Sequence, residues 1–464
     1  MRSWSPDRIA AAAGARLLSP AASAGTLAAP VVTDGGLQRV VIDSRQAAPG
    51  ALFAGLPGTN VDGGRFATHA LAAGAWGVLV SPEYTDAAAK AAGAEQAIFE
   101  VASPLTALQR LATAWRRELN AKVIGVTGST GKTSTKDLLL AVLAPERRTV
   151  ASRLNFNTEV GLPLEILGAP AETEVLVLEM AMRGEGQIAE LAGIAEPDVA
   201  VIVSVGPVHL ELLGTIEAIA AAKAELVAAL PPGGTAVVPA GEPLLEPHLR
   251  ADVRTITFGE EGDVHLLGAD EHRVQISLAG EAITLEVNFQ QAHLRRNLLA
   301  AVAAAHAIGA SPRGRVELAL TPGRGERIRL SGGVTLIDDC YNANPMSMRA
   351  ALEDLAVTAE RDRHARRVAV LGDMLELGDG EREFHAQLGR EAQTAGVDLL
   401  VTVGPQAAAM SETFAGAIHL ARNANEAARV VPPLLESGDL VLVKGSRAVG
   451  LELVCRALRN GTGG

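Results

Sequence analysis

Short apolar runs alternate with helix-like stretches along most of this chain, and the alternation predicts an α/β protein. Runs such as V-L-V-L and L-V-L-V are uniformly apolar, which is typical of strands buried on both faces of a parallel sheet. Amphipathic or alanine-rich stretches of helical length lie between these runs. We therefore expect doubly wound, mostly parallel sheets that are covered by helices.

The pattern divides the chain into three regions, which we interpret as three domains. Residues 1–104 form a smaller N-terminal α/β domain, residues 105–321 a central domain and residues 322–464 a Rossmann-like α/β domain without a G-x-G-x-x-G turn. Short alternating runs in residues 253–289 predict a small antiparallel β insert. The predicted strands are 39–42, 51–54, 77–80, 123–126, 174–178, 200–205, 235–238, 335–338, 367–371, 399–403 and 440–443. The predicted helices are 66–74, 105–119, 135–143, 186–192, 216–230 and 294–308.

Composition narrows the classes of function. The 464 residues are 48% apolar, and the net charge of −12 argues against a nucleic-acid-binding surface, which would need a basic stripe. The two cysteines, Cys340 and Cys455, exclude a disulfide framework. The sequence has no apolar run of membrane-spanning length and no apolar signal-peptide core near its N-terminus. We expect a cytoplasmic monomer that inserts into no membrane and binds no nucleic acid.

The segment G-V-T-G-S-T-G-K-T-S at 125–134 predicts a phosphate-binding loop. It follows an apolar strand, and its glycines allow backbone N–H groups to turn toward an anion at a helix N-terminus. Lys132 can reach the terminal phosphates of a nucleoside triphosphate, and Thr133 can offer its hydroxyl to Mg²⁺. The common pattern would place a glycine at 126, where this chain has Val126, so the spacing indicates a subset of such proteins. An ordinary glycine-rich turn is the alternative.

Three further residues follow or flank the predicted central strands. Glu179 ends a strand, where a carboxylate is well placed to hold Mg²⁺, although a solvated strand-end charge would look the same. His209 lies just past the next strand and can act as an ion ligand or proton carrier, unless it is simply a surface residue. Lys223 lies in a helical stretch and reads as a solvated lysine, except that only six of the 41 basic residues are lysines.

Two polar segments end predicted strands of the third region. The segment D-D-C-Y-N-A-N-P at 338–345 is dense in polar side chains, which favours a ligand-facing loop over plain turn chemistry. The segment K-G-S-R at 444–447 follows the last apolar strand and can bind an anion.

These segments together resemble the Mur ligase family almost from end to end. The shortened phosphate-binding loop at 127–133 is similar to that of the family. The other matching segments are N-F-N-T-E-V-G-L-P at 155–163, E-M-A-M-R-G-E-G-Q-I at 179–188, V-G-P-V-H-L-E at 205–211, A-K-A-E at 222–225, D-D-C-Y-N-A-N-P at 338–345, G-D-M-L-E-L-G at 372–378 and K-G-S-R at 444–447.

The resemblance implies an ATP-dependent carboxylate–amine ligase of peptidoglycan precursor synthesis. The D-C-Y-N-A-N-P and G-D-M-x-E-L-G segments mark the branch that joins D-alanyl-D-alanine to UDP-N-acetylmuramoyl-tripeptide (UDP-MurNAc-tripeptide) through an acyl phosphate, with release of ADP and phosphate. The resemblance also implies two Mg²⁺ ions and catalytic roles for Lys132, Glu179, His209 and Lys223. The implied metal ligands are Thr133, Glu179, His209 and Lys223, the last as a carbamate formed with CO₂.

The same resemblance implies binding residues in all three regions. The implied ATP contacts are Gly128, Ser129, Thr130, Gly131, Lys132, Thr133, Ser134, Asn297, Arg324 and Asp338. The implied substrate contacts are Ser44 and Arg45 near the uridine diphosphate, with Asn155, Asn157, Thr158, Tyr341, Asn342, Asn344 and Lys444. Two positions depart from the family: His293 lacks its usual flanking glycine and asparagine, and Ser204 replaces an expected asparagine.

Three alternatives to this interpretation can be separated by sequence. A ligase that adds the third amino acid would be expected to carry D-N-P-R, which is absent. A folylpolyglutamate-synthetase-like enzyme would not be expected to carry the D-C-Y-N-A-N-P loop. A nucleotide-dependent switch protein would be expected to carry a base-specifying N-K-x-D-type motif, which is also absent, and it would leave Glu179, His209 and Lys223 unexplained.

Overall fold

A computed structural model describes residues 4–18, 36–153, 155–319, 321–363 and 366–460. Within these ranges the strands form three sheets, and each sheet is built from one continuous part of the chain. The helices of this part of the chain include none that is both long and apolar enough to cross a membrane. The α/β class predicted from the sequence is confirmed.

The first sheet is small and mostly parallel. Its strands are β1 (Arg16–Leu18), β2 (Arg39–Val41), β3 (Ala51–Ala54), β4 (Gly77–Val80) and β5 (Ala97–Glu100), with helices α1 (Pro6–Ala13), α2 (Ala67–Ala72) and α3 (Pro82–Ala91). The strand order is β1-β5-β4-β3-β2, and only β1 runs antiparallel to its neighbour. β3 and β4 are buried along their whole length, as their uniformly apolar sequences predict.

The central part of the chain contains ten strands in one sheet. The strands are β6 (Lys122–Thr127), β7 (Thr149–Ala151), β8 (Val175–Glu179), β9 (Val199–Ile202), β10 (Thr235–Pro239), β11 (Arg254–Phe258), β12 (Val264–Ala269), β13 (Arg273–Leu278), β14 (Glu281–Val287) and β15 (Gly314–Val316). The helices are α4 (Pro104–Leu119), α5 (Lys132–Leu143), α6 (Gly161–Gly168), α7 (Gln187–Ala195), α8 (Leu210–Leu213), α9 (Ile216–Ala228) and α10 (Ala292–Ala307). The strand order is β15-β14-β13-β12-β11-β10-β9-β6-β8-β7.

Helices cover both faces of the parallel half of this sheet. On one face α5 and α10 pack on β6, β8 and β9, and five buried alanines of α10 (Ala300, Ala301, Ala303, Ala304 and Ala305) allow its backbone to approach closely. On the other face α4, α6, α7 and α9 enclose a second core. At Gly125 in β6 an added Cβ would lie 2.9 Å from a Leu226 methyl carbon of α9, so any larger residue there would force the Leu226 side chain to move. This packing fixes the strand ends that carry the predicted site.

The predicted antiparallel insert is correct for three of its strands. β12, β13 and β14 pair antiparallel with one another. The first strand of the predicted segment, β11, instead pairs in parallel with β10 over five residue pairs and continues the doubly wound sheet. Its sequence R-T-I-T-F alternates because only one face is fully covered, which the sequence pattern alone does not distinguish from an antiparallel strand.

The C-terminal sheet has six strands. They are β16 (Glu326–Arg329), β17 (Thr335–Asp338), β18 (Arg367–Gly372), β19 (Leu399–Val403), β20 (Ala417–Ala421) and β21 (Leu440–Lys444), with helices α11 (Pro345–Asp362), α12 (Glu381–Thr394), α13 (Ala424–Val430) and α14 (Glu452–Asn460). The order is β16-β17-β21-β18-β19-β20, and only β16 is antiparallel. The short 3-10 helices of the described chain are Ser44–Gln46, Gly63–Phe66, Glu246–His248, Ser331–Gly333, Gly378–Gly380, Ala407–Glu412, Pro432–Leu434 and Arg447–Val449.

Replacement of Phe258 by alanine should destabilise the central sheet. Phe258 is fully buried at the end of β11, between the parallel and antiparallel halves. A buried Phe→Ala change costs about 3–5 kcal/mol, because the cavity is only partly filled by relaxation. We expect a clear fall in the thermal unfolding midpoint, measured by circular dichroism. Leu267→Ala is the control, since Leu267 in β12 is 51% exposed, and equal shifts for both variants would contradict the assignment of Phe258 to the core.

Candidate active site

The carboxyl ends of three parallel strands meet at one edge of the central sheet. β9, β6 and β8 are neighbours in that order and run in the same direction. The phosphate-binding loop follows β6, Glu179 is the last residue of β8, and the segment that ends at His209 follows β9. The three sequence motifs are therefore brought together at the edge where ligands bind in open α/β sheets.

The phosphate-binding loop enters α5 through a left-handed glycine. Gly131 is the N-cap residue of α5 with φ = 78°. An added Cβ there would lie 2.8 Å from Oδ1 of Asn297 and 2.9 Å from a methyl carbon of Val203. The predicted contact residue Asn297 of α10 thus lies directly against the loop. The helix was predicted to begin at 135, but it begins at Lys132, so Lys132 and Thr133 lie in its first turn with its unpaired N–H groups.

Ser204 and Ser129 hold this loop against the segment after β9. The backbone N–H of Thr130 donates to Oγ of Ser204 at 2.9 Å, and that hydroxyl donates to the Thr130 carbonyl at 3.1 Å. Oγ of Ser129 donates to the Gly206 carbonyl at 3.0 Å. Ser204, which departs from the family pattern, therefore holds the phosphate-binding loop in place. In the sequence, only the position of Ser204 just after a predicted strand points to this role.

Glu179 presents a buried and only partly satisfied carboxylate to this edge. Its side chain is 3% exposed, and Oε1 accepts a hydrogen bond from Nδ2 of Asn157 at 2.9 Å. Oε2 is buried and has no hydrogen-bond partner among the described residues. A buried carboxylate oxygen without a partner is costly unless a cation binds it, so Glu179 fits the ligand set of a Mg²⁺ ion.

Lys132 lies near Glu179, and the buried Lys223 lies near Lys132. Nζ of Lys132 donates to the Gly128 carbonyl at 2.7 Å, and burial lowers the pKa of Lys132, while the charge of Glu179 opposes that shift. Lys223 on α9 is 2% exposed and forms no ion pair with any carboxylate in the described part of the chain. Burial, with a further contribution from the charge of Lys132, lowers the pKa of Lys223 well below its usual value. The uncharged amine of Lys223 is therefore favoured, and its solvated interpretation is wrong.

His209 lies on the same edge in a left-handed backbone conformation with φ = 55°. Burial lowers the pKa of the imidazole, and the charges of Lys132 and Lys223 lower it further, against the effect of Glu376. Nδ1 of the ring is hydrogen-bonded to Oε2 of Glu376. Because a carboxylate only accepts, the neutral ring carries its proton on Nδ1, which leaves the lone pair of Nε2 available as a ligand.

The polar loop after β17 approaches the phosphate-binding loop from the C-terminal sheet. Asn344 caps α11 through its Oδ1, and its Nδ2 donates to the Ser129 carbonyl at 3.5 Å. Met346 packs closely against Gly206, where a Cβ would overlap its sulfur atom. The guanidinium of Arg324 stacks on the ring of Tyr341 at 4.0 Å from its centroid. The contacts of Asn344 and Met346 join the two sheets at the site.

Lys444 organises the base of the same loop. Its Nζ forms an ion pair with Oδ2 of Asp339 at 2.7 Å and donates to the Asn342 carbonyl at 2.9 Å. Burial raises the pKa of the Asp339 carboxyl, and the nearby Lys444 ammonium opposes that shift. The guanidinium carbon of Arg447 lies 5.1 Å from the centroid of the Tyr341 ring, so the ring contacts two arginines, Arg324 and Arg447. Lys444 therefore supports the loop in the structure, and its direct contact with substrate stays a prediction.

Asp338 is buried and has its partners within the C-terminal part of the chain. Its Oδ2 accepts from Arg459 of α14 at 2.7 Å, and its carboxylate lies beside the thiols of Cys340 and Cys455. A hydrogen bond with Cys340, together with burial, raises the pKa of Cys455, so it remains a thiol. Both cysteines are free and buried, as expected without a disulfide framework. The contact of Asp338 with nucleotide stays a prediction.

Four predicted substrate residues lie apart from this cluster. Ser44 and Arg45 lie in the 3-10 helix after β2, where Arg45 forms an ion pair with Asp43 at 2.7 Å. Asn155 and Thr158 are exposed in the loop between β7 and α6. Among the described residues, no hydrogen bond or ion pair joins these four side chains to residues 128–134. Their roles stay predictions.

Three segments of the chain match profiles of one protein family. Residues 37–116 match "Mur ligase family, catalytic domain", residues 126–305 match "Mur ligase middle domain", and residues 323–447 match "Mur ligase, glutamate ligase domain". The three matched segments together span most of the chain.

Individual relatives agree with these profiles. The UDP-N-acetylmuramoyl-tripeptide–D-alanyl-D-alanine ligase of Bacillus subtilis (strain 168) is 36% identical over 376 residues, which cover 78% of this chain and 81% of the relative. MurF from Acinetobacter baumannii superposes with a TM-score of 0.84 at 28% identity, covering 98% of both chains. MurF ligase from Thermotoga maritima, solved in complex with ADP, superposes with a TM-score of 0.79 at 30% identity, covering 91% of this chain and 97% of the other.

Replacement of Gly131 by alanine should weaken nucleotide binding. The added methyl group would meet Asn297 and Val203, and φ = 78° is unfavourable for alanine. A strain of about 1–3 kcal/mol corresponds to a loss of affinity of roughly fivefold to 150-fold. Titration with a fluorescent ATP analogue measures this effect. Gly214→Ala is the matched control, since Gly214 has the same φ of 78° but open space around it. Equal losses for both variants would show that the loop does not bind the nucleotide.

Proposed function

The chain belongs to the Mur ligase family, and we propose that it is the ATP-dependent ligase that joins D-alanyl-D-alanine to UDP-MurNAc-tripeptide. The observation that carries this proposal is the cluster at the edge of the central sheet. Lys132 lies close enough to Glu179 and Arg324 for both charges to act on it, and the buried amine of Lys223 lies close to Lys132 in turn. Such a site suits a reaction in which a triphosphate and a carboxylate, both anionic, must meet.

The choice of substrates is supported by the relatives. The ligase of Bacillus subtilis is named for UDP-N-acetylmuramoyl-tripeptide and D-alanyl-D-alanine, and the MurF ligase of Thermotoga maritima was solved with ADP. We infer that ATP binds at residues 128–134, with Asn297, Arg324 and Asp338 around it. The uridine diphosphate end of the tripeptide substrate is assigned to the N-terminal domain near Ser44 and Arg45. The protein is proposed to act as a monomer in the cytoplasm, with domain boundaries at 104/105 and 321/322.

The reaction proceeds in two transfers. The terminal carboxylate of the tripeptide attacks the γ-phosphorus of ATP, and an acyl phosphate and ADP form. The amine of D-alanyl-D-alanine then attacks the acyl carbon, and the tetrahedral intermediate expels phosphate and leaves the amide. Lys132 and the N–H groups of the first turn of α5 neutralise the transferring phosphoryl group. The burial of this edge keeps water from competing with the amine.

The residues at this edge fit two Mg²⁺ ions. Thr133 and Glu179 would hold the first ion, and the partnerless Oε2 of Glu179 suits that role. His209, through Nε2, and Lys223 as a carbamate would hold the second. When bound, the ions supply positive charge that withdraws electron density from the γ-phosphate and from the acyl oxygen.

Lys223 can provide an oxygen ligand only after modification. Its uncharged amine, favoured by burial, attacks CO₂ and loses a proton, which yields an anionic carbamate in place of a neutral amine. The negative charge of the carbamate would also balance the positive charge of the nearby Lys132. Arginine would not support this reaction readily, because its guanidinium stays charged.

The acceptor side of the site is proposed to come from two loops. Asn155, Asn157 and Thr158 lie after β7 in the central domain. Tyr341, Asn342, Asn344 and Lys444 belong to the C-terminal sheet and its first loop. The contacts of Asn344 with the phosphate-binding loop support the idea that the dipeptide binds between these domains.

An acceptor panel tests the proposed function. We expect phosphate release from ATP with UDP-MurNAc-tripeptide to require D-alanyl-D-alanine, since the family markers belong to that branch. The measurement is a coupled phosphate assay across single amine acceptors, with mass spectrometry of the product. If single amino acids supported release and D-alanyl-D-alanine did not, the assignment would be wrong.

The carbamate role of Lys223 can be tested separately. Lys223→Ala should lower kcat by roughly 100-fold or more, because a metal ligand is lost, and short carboxylates such as formate should restore part of the activity. The unmodified enzyme should show a carbamate signal by ¹³C NMR in ¹³C-bicarbonate, and the variant should lack it. Lys90→Ala, at an exposed position in α3, is the control and should behave as wild type. Full activity of Lys223→Ala would contradict the role.

A further inference from the structure

Glu376 links the C-terminal sheet to His209, the residue proposed to hold the second Mg²⁺ ion. It lies in the loop after β18, and its two carboxylate oxygens are divided between two residues of the central domain: Oε1 pairs with Arg183, and Oε2 accepts from Nδ1 of His209. The backbone adds a third link, because the N–H of Glu211 donates to the Glu376 carbonyl at 3.2 Å. Both side chains of the Glu376–His209 pair are less than one third exposed, at 27% and 29%.

The two partners share an unusual backbone conformation. Only six non-glycine residues in the described ranges have positive φ, and His209 at 55° and Glu376 at 64° are two of them. These conformations are unfavourable for residues with a Cβ, and they persist where the surroundings over-determine them, often at functional sites. Here both unfavourable residues point their side chains at each other across a domain interface.

The loop that carries Glu376 is held rigidly from its own sheet. Oδ1 of Asp373 accepts from the Ala407 N–H at 2.7 Å, and Oγ of Ser446 accepts from the Leu375 N–H at 3.0 Å. Nε2 of His385, which is fully buried, accepts from the Met374 N–H at 2.9 Å. Because three consecutive residues of the loop are held by hydrogen bonds, the next residue, Glu376, has a defined position.

The chemistry of the pair favours a positioning role. A carboxylate that accepts the Nδ1 proton of a histidine fixes its tautomer and ring orientation and raises the basicity of the other nitrogen. Arg183 balances the charge of Glu376, so the carboxylate is kept ionised as an acceptor. The pair therefore forms only when the C-terminal sheet lies in the arrangement seen here.

We propose that Glu376 is a positioning residue that orients His209 for its Mg²⁺ ion and so makes the metal site complete only when the C-terminal domain is closed. This inference rests on the proposed function, in which His209 holds the second ion. Arg183 acts as the charge partner of Glu376 and has no direct part in orienting the ring.

Metal binding tests this proposal with a readout apart from catalysis. We suggest counting Mn²⁺ bound to the full-length protein with ADP present, by the loss of the free-ion EPR signal. Glu376→Ala should weaken the more weakly bound ion by about tenfold or more, as for loss of a partner that orients a ligand. Glu376→Gln retains a carbonyl oxygen that accepts the Nδ1 proton, so it should remain within about threefold of wild type. Steady-state kinetics should show a fall in kcat for Glu376→Ala with little change in KM for ATP.

Two further variants distinguish orientation of the His209 ring from simple stabilisation of the contact between the domains. Arg183→Ala leaves the Glu376–His209 bond in place and should keep near-normal Mn²⁺ affinity. Glu383→Ala, at an exposed carboxylate of α12 paired with Arg390, should match wild type throughout. Equal effects of Arg183→Ala and Glu376→Ala on kcat with unchanged Mn²⁺ binding would overturn the proposal. If wild type released no phosphate with D-alanyl-D-alanine while the Mn²⁺ shifts appeared as expected, the proposed substrates would be wrong and the positioning role would stand.

Discussion

Buried positive charge at one edge of the central sheet is the constraint that shapes the rest of the site. Burial lowers the pKa of both Lys132 and Lys223, the charge of Arg324 lowers that of Lys132 further, and the two lysines lower the pKa of His209. Only Glu179 opposes the shift of Lys132. Uncompensated buried charge is costly, so such an arrangement is maintained for anionic ligands. The proposed carbamate at Lys223 would reduce this charge and supply an oxygen ligand at once.

The same constraint explains why the C-terminal sheet packs against the central one. The central sheet supplies the loop and the strand ends, but its edge is open until the C-terminal loops pack on it. Asn344 and Glu376 contact that edge from two separate loops, one at the phosphate-binding loop and one at His209. Domain closure and completion of the site are thus the same event in this account.

The α/β fold and the phosphate-binding loop could be predicted from the sequence, because the buried parallel strands are uniformly apolar and the loop is a local motif. The start of α5 was missed, since glycine, serine and threonine before Lys136 look like loop residues until the cap at Gly131 is seen. The roles of Ser204 and Glu376 depend on contacts between distant segments, which no local pattern encodes. The partner of Asp338, Arg459, lies 121 residues away and was equally hidden.

Isotope transfer shows directly whether this edge of the sheet activates a carboxylate as an acyl phosphate. UDP-MurNAc-tripeptide labelled with ¹⁸O in its terminal carboxylate would be turned over with ATP and D-alanyl-D-alanine, and the released phosphate analysed by mass spectrometry. We expect one ¹⁸O atom in each phosphate, because the carboxylate oxygen that attacks phosphorus leaves with it. Unlabelled phosphate alongside normal amide formation would exclude an acyl phosphate intermediate.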